Sequence, residues 1–94
     1  MIKGFVYILT NKNCTVLYVG ATQNLKKRID SHRKGTGAIF TKKYKATILI
    51  YFEEFGDIRE AFKREKQLKN WRKDWKWNLS KKLNPESKDL YLDL

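Results

Sequence analysis

The chain is poor in the residues that crosslink or ligate. It has one cysteine, Cys14, and one histidine, His32, in 94 residues. A lone cysteine excludes an intrachain disulfide framework and fits a reducing cytosol. One cysteine and one histidine cannot furnish a closed zinc site from a single chain. No apolar run approaches the roughly 20 residues that a membrane span needs. Strand-like sequence starts within six residues of Met1, leaving no space for a secretion signal. Negative charge is scarce too: 10 Asp plus Glu face 21 Lys plus Arg, for a net charge of +11. Such an excess favours a polyanionic partner, nucleic acid above all.

What is present is a folding composition, 41% hydrophobic and 14% aromatic, at a length that suits one core and hence a single domain over 1–94. Residues 2–10 and 15–20, rich in Val, Ile, Tyr and Phe, read as strands. Thr22 is placed to cap a helix from about Gln23 to Lys34, which Gly35-Thr36-Gly37 ends, opening a flexible basic loop to about Lys45. Thr47 to Phe55 is a third strand. Asp57 and Glu60 have the spacing of a capping box for a helix to about Asn70. A further helix, about Lys73 to Leu83, stops at Asn84-Pro85, and residues 83–94 form an irregular tail that packs back. The order β-β-α-β-α-α predicts an α/β fold with a small sheet covered by helices.

Three elements turn polar groups inward. If Thr10 pairs with Thr15 across the spacer Asn11–Cys14, Tyr7 stands opposite Tyr18 on one face, with Phe5 opposite Gly20. On the first helix Leu25 and Ile29 mark the buried stripe, His32 continues it and Arg28 borders it, while Lys26, Lys27, Asp30, Arg33 and Lys34 point to solvent. On the next helix Ile58, Ala61, Phe62 and Leu68 set the apolar face, and Glu65 projects near its middle. Each feature has a plain structural reading: a hairpin-stabilising aromatic pair, a satisfied core histidine, and a carboxylate paired with Arg28 or a nearby Lys. Together they suit phosphoryl displacement. Arg forks onto phosphate oxygens, one carboxylate with several waters is a normal Mg²⁺ site, and a phenol near a cation can act as a base.

These residues make the chain resemble the GIY-YIG nuclease superfamily. Phe5-Val6-Tyr7 and Tyr18-Val19-Gly20 correspond to the two name-giving tripeptides. ATQNLKKRIDSH resembles the family's first helix, and EAFKREKQLK the helix bearing its catalytic Glu. GTGAIFT and LNPESKDL are similar to stretches of small, stand-alone bacterial members. The resemblance implies a three-stranded antiparallel sheet flanked by helices and metal-dependent hydrolysis of DNA phosphodiesters. By the same resemblance Glu65 holds one Mg²⁺ or Mn²⁺, Tyr7 activates water, and Arg28 stabilises the pentavalent phosphate. Tyr18 orients phosphate or water, His32 supports proton transfer or hydrogen bonding, and Gly20 lets the backbone approach the substrate.

The sequence departs from the pattern at three places. Phe5 replaces the first Gly, with Gly4 one place earlier. Ala21 stands where the excision-repair branch has Lys. The family's late Asn corresponds to Asn78 or Asn84, the latter slightly the better. Beyond the five-residue set, Lys42, Lys43, Lys69, Arg72 and Lys73 are expected to meet the nucleic acid, DNA before RNA. Of the tryptophans, Trp71 and Trp75 share a packed stripe with Leu79, leaving Trp77 exposed. Two rival readings stand beside the nuclease: a binding module that keeps the fold without the chemistry, and an adaptor that docks a protein through exposed aromatics and DLYLDL. A protein partner that supplies specificity is compatible with all three.

Overall fold

The computed structural model describes residues 2–94. Its centre is a three-stranded antiparallel sheet in the order β2-β1-β3, built from β1 (Gly4–Thr10), β2 (Leu17–Thr22) and β3 (Ile48–Phe55). Helices α1 (Leu25–Arg33) and α2 (Ile39–Tyr44) lie between β2 and β3 in the chain; α3 (Ile58–Lys69) and α4 (Lys73–Leu83) follow, and a 3₁₀ turn (Leu90–Asp93) ends it. The α/β class and the antiparallel sheet agree with the sequence reading.

β1 is buried on both faces because its alternation feeds two clusters. Val6 and Ile8 join Val19, Ile50, Tyr51, Ala61 and Leu68 on the α3 side. Tyr7 and Leu9 join Leu25, Ile29, Ala46 and Leu49 on the α1 side. Gly4 belongs to the α3 face: a Cβ there would stand 2.7 Å from the Ile58 Cα, so only glycine lets the start of α3 come this close. The β1–β3 ladder slips between Ile8 and Leu9, leaving Ile50 as an extra residue in β3. Its carbonyl accepts hydrogen bonds from Asn84 Nδ2 at 3.1 Å and Ser80 Oγ at 3.3 Å, so the bulge is satisfied by side chains of α4 and its C-cap.

The hairpin register differs from expectation. Thr10 pairs with Leu17, Leu9 with Tyr18 and Tyr7 with Gly20, while Phe5 faces Thr22. The connection therefore spans Asn11–Val16 rather than four residues. Cys14 takes a left-handed φ of 55°, and Asn11 Oδ1 accepts from the Thr15 amide at 2.8 Å, which holds the longer loop closed. A shift of two residues preserves parity, so Tyr7 and Tyr18 still share a face, as diagonal rather than opposite neighbours.

Other local expectations shift as well. Asn24, not Thr22, caps α1, its side chain accepting from the Lys27 amide at 3.1 Å; Thr22 Oγ1 instead accepts from the Asn24 amide. Asp30 is drawn from solvent by a hydrogen bond from the Tyr91 hydroxyl. The expected basic loop contains α2, which Lys45 ends in the left-handed conformation. Asp57 caps α3 through the Arg59 amide, while the Glu60 carboxylate pairs outward with Lys63, so only half of the capping box forms. Phe62 is 52% exposed and lies outside the core. Trp75, 48% exposed, takes the place expected of Trp77, which packs against the α3-side cluster. The tail does pack back: Leu90 and Tyr91 join the α1-side cluster.

Candidate active site

Tyr7 lies on the central strand with its ring over Gly20. A Cβ at Gly20 would meet the Tyr7 hydroxyl at 2.4 Å. This glycine therefore makes room for the phenol. Tyr18 flanks the ring, its centroid 6.3 Å from that of Tyr7 and 5.4 Å from that of His32.

His32 is buried on α1 and held at both nitrogens. Its Nδ1 is 2.8 Å from Thr41 Oγ1, and the single proton of that hydroxyl is donated to the Ala38 carbonyl, also at 2.8 Å. Nδ1 must therefore carry the imidazole proton and donate to Thr41, which leaves Nε2 bare. The Tyr7 hydroxyl, 2.9 Å from Nε2, donates to it. Gly37 gives the ring its space: a Cβ there would stand 2.3 Å from Nδ1. Burial, and then the charge of Arg28, lowers the imidazole pKa to about 4.

Arg28 and Glu65 complete the group. Burial pushes the Tyr7 phenol up to about 12; Arg28 opposes that rise, while Tyr18 and Glu65 add to it. The Arg28 guanidinium is held charged above its usual range, first by its interaction with the Tyr7 oxygen. Residues from β1, β2 and α1 thus meet around one phenol, and the charge of Glu65 on α3 reaches it. Next to Arg28 the surface is hollowed between Thr22, Gln23, Asn24, Lys27 and Ser31, which opens its guanidinium to an incoming anion.

Glu65 pairs with Lys69 at 3.3 Å, so the plain salt-bridge reading is realised with a lysine one turn on and not with Arg28. Among the described residues no cluster of three or more His, Cys, Asp or Glu side chains could hold a metal. A lone, partly exposed carboxylate still fits Mg²⁺ or Mn²⁺, which keep several waters and take further oxygens from phosphate.

Of the other expected residues, Lys42 and Lys43 are exposed on α2. Arg72 and Lys73 have local partners: Arg72 pairs with Asp74, and Lys73 Nζ donates to the Thr15 carbonyl at 2.6 Å, tying α4 to the hairpin. Asn84 does not join the site. Its amide donates to the Ile50 and Lys88 carbonyls, and its oxygen accepts from the Lys88 amide, all structural bonds at the bulge and tail. Asn78 is exposed beside Trp71, Trp75 and Lys82. Sequence reasoning missed Thr41 and Gly37; the signal for both was GTGAIFT, where small residues lie within reach of the only histidine.

Residues 3–78 match the profile described as the GIY-YIG catalytic domain, and the chain belongs to that family of nucleases. Among curated relatives, it is 39% identical over 92 residues to a UPF0213 protein of Clostridium perfringens, covering 96% of this chain and 98% of the relative. A UPF0213 protein of Staphylococcus haemolyticus is 38% identical over 76 residues, 81% of this chain and 92% of its own length. The solution structure of a UPF0213 protein from Bacillus halodurans superposes with a TM-score of 0.58 at 26% identity, covering 93% of this chain and 92% of that one.

Proposed function

We propose that the protein is a small divalent-metal-dependent endonuclease that hydrolyses DNA phosphodiester bonds. The observation that carries this reading is the hydrogen-bonded Tyr7–His32 pair with the Arg28 guanidinium on the Tyr7 oxygen and the Glu65 charge near enough to act on the same phenol. Arg28 binds the scissile phosphate and offsets the charge that develops in the pentavalent state. Glu65 holds the one Mg²⁺ or Mn²⁺, which supplies Lewis-acid polarisation of the phosphate. Tyr7 is the base. Its hydroxyl proton is committed to His32 and one lone pair to Arg28, which leaves the other lone pair for the water to be activated, and the water's proton reaches the phenol oxygen as the phenol's own moves to Nε2. A phosphate seated on Arg28 neutralises one of the two influences that hold His32 low, which makes Nε2 a better acceptor at that moment. Tyr18 orients the phosphate or the water. The exposed Lys42 and Lys43 contact neighbouring phosphates, and a protein partner supplies specificity beyond them. Work on DNA during repair or recombination in the cytoplasm suits this activity and the exposed free thiol of Cys14.

The second reading is a nucleic-acid-binding module without chemistry. It is favoured by the Glu65–Lys69 ion pair, which satisfies the carboxylate without a metal. Cleavage of labelled duplex, single-stranded, flapped and branched DNA, with and without Mg²⁺ or Mn²⁺, separates the two. The nuclease reading expects metal-dependent products that vanish in Glu65→Ala while binding persists. Binding without products under every metal condition gives the second reading.

A further inference from the structure

The face of α2 turned away from His32 is apolar, aromatic and open. Thr41 anchors this short helix by its buried hydroxyl, and on the outer side Ile39 is 87% exposed, Tyr44 42% and Phe40 37%. The rings form a run that starts in the site. Tyr18 stacks with Phe40 at 5.9 Å between centroids and an interplanar angle of 28°, and Phe40 meets Tyr44 at 4.7 Å. Packing against Tyr18 explains half of the Phe40 ring; it explains neither the outer half nor Ile39. The nearby charge is mostly basic: Lys34, Lys42, Lys43 and Lys45 are exposed, while Arg33 is paired with Asp89. Acidic peptides and lipid surfaces also use exposed cations and aromatic rings; what favours a nucleobase is that this run of rings continues from Tyr18, which itself flanks the Tyr7–His32 pair.

We propose that α2 is a stacking platform for an unpaired nucleobase adjoining the phosphate that Arg28 holds, so that the protein selects single-stranded or flapped strands over continuous duplex. This rests on the nuclease reading only for its location beside the scissile phosphate. An unpaired base exposes both faces and can lie on Phe40, with Ile39 against its edge, while Lys42 and Lys43 take the flanking phosphates. A stacked duplex offers no free base face, so it gains only the charge contribution.

The test is equilibrium binding in chelator, where no cleavage can occur, with three probes of about 12 units: oligothymidylate, an abasic strand of equal charge, and duplex. Oligothymidylate should bind wild type more tightly than the abasic strand. Phe40→Ala should weaken it about tenfold while leaving the other two within about twofold. Ile39→Ala, at a position too exposed to support the fold, should act in the same direction, and Phe40→Trp should restore binding. Lys42→Ala with Lys43→Ala should weaken all three alike and reduce the salt dependence. Equal affinity of wild type for oligothymidylate and the abasic strand overturns the platform alone, as does a uniform loss in Phe40→Ala. Failure to bind any of the three overturns the nucleic-acid reading with it.

Discussion

The Tyr7 hydroxyl donates to the bare Nε2 of His32 across 2.9 Å, and both side chains are about 99% buried. A strand and a helix are thereby joined by a bond in which the phenol is the donor only while the imidazole is neutral. His32 is the chain's one histidine, so its ring resonances report the pair without ambiguity. Nuclear magnetic resonance should find them titrating near pH 4, where a free imidazole titrates near 6.5. The folded pKa lies below the unfolded one. Stability from this group is therefore complete above about pH 6.5 and lost as pH falls toward 4, on the order of 3 kcal/mol over the window. Denaturant titrations at several pH values should show this slope in the wild type and lose most of it in His32→Gln. A midpoint near 6.5 would mean that the ring is solvated and the bond to Tyr7 unmade.

Tyr7→Phe removes the donor and keeps the ring. His32 Nε2 is then buried without a partner, at a cost of about 1–3 kcal/mol in a denaturation curve. Single-turnover cleavage should fall by about 10²–10⁴-fold, the usual worth of a positioned base. An unchanged rate would assign water activation elsewhere.

Gly20 and Gly56 give a matched pair of alanine substitutions, since neither has a positive φ. At Gly20 the new Cβ meets the Tyr7 oxygen at 2.4 Å and its Cζ at 2.5 Å. The phenol must move, which should cost about 1–3 kcal/mol and, with the displaced base, about 100-fold in rate. At Gly56 no atom lies within 4 Å, and Gly56→Ala should stay within about 0.5 kcal/mol of wild type with full activity. Equal behaviour of the two would show that Tyr7 yields freely.

Where sequence patterns carried the fold, they did so through parity and apolar spacing. Val6, Tyr7, Ile8 and Leu9 mark a strand, which the structure buries on both faces, and Leu25, Ile29 and His32 fix which side of α1 faces it. The same parity brought Tyr7 and Tyr18 to one face although the loop length was wrong, because alternation depends on odd or even and not on the register itself. What could not be read depended on backbone need. The inward line of α4 is Trp77, Ser80 and Asn84, two of them polar because the Ile50 bulge leaves a carbonyl to satisfy. Hydrophobic spacing favoured Trp71, Trp75 and Leu79; Trp71 and Leu79 do pack against the α3-side cluster, while Trp75 is 48% exposed. Phe62 follows the same logic. At about 100° per residue it stands a full step from Ala61, while Glu65 and Leu68 return toward it. For α2 there was no apolar period to find, since its one buried residue is Thr41.

Arg64, the residue before Glu65, ties α3 to the sheet. Its Nε and Nη2 each donate to the Glu53 carboxylate at 3.0 Å, and its Nη1 donates to Gln67 at 2.7 Å. The Tyr51 hydroxyl donates to the same carboxylate. The guanidinium also lies 5.2 Å from the Trp71 ring centre. A forked, largely buried pair fixes rotation as well as distance, and the rotation of α3 decides whether Glu65 faces Tyr7. Arg64→Met leaves Glu53 with one donor and should cost about 2 kcal/mol. Glu53→Gln should cost a similar amount, and the double variant less than the sum, with a coupling of about 1–3 kcal/mol in a denaturation cycle. Arg64 touches no reacting group, so Arg64→Met should raise the Mg²⁺ concentration needed for half-maximal cleavage while oligonucleotide binding in chelator holds. Arg64→Lys, which keeps the charge but not the fork, should recover stability better than metal dependence. A loss of stability with no change in metal dependence would make the Glu53–Arg64 pair a brace for the helix alone.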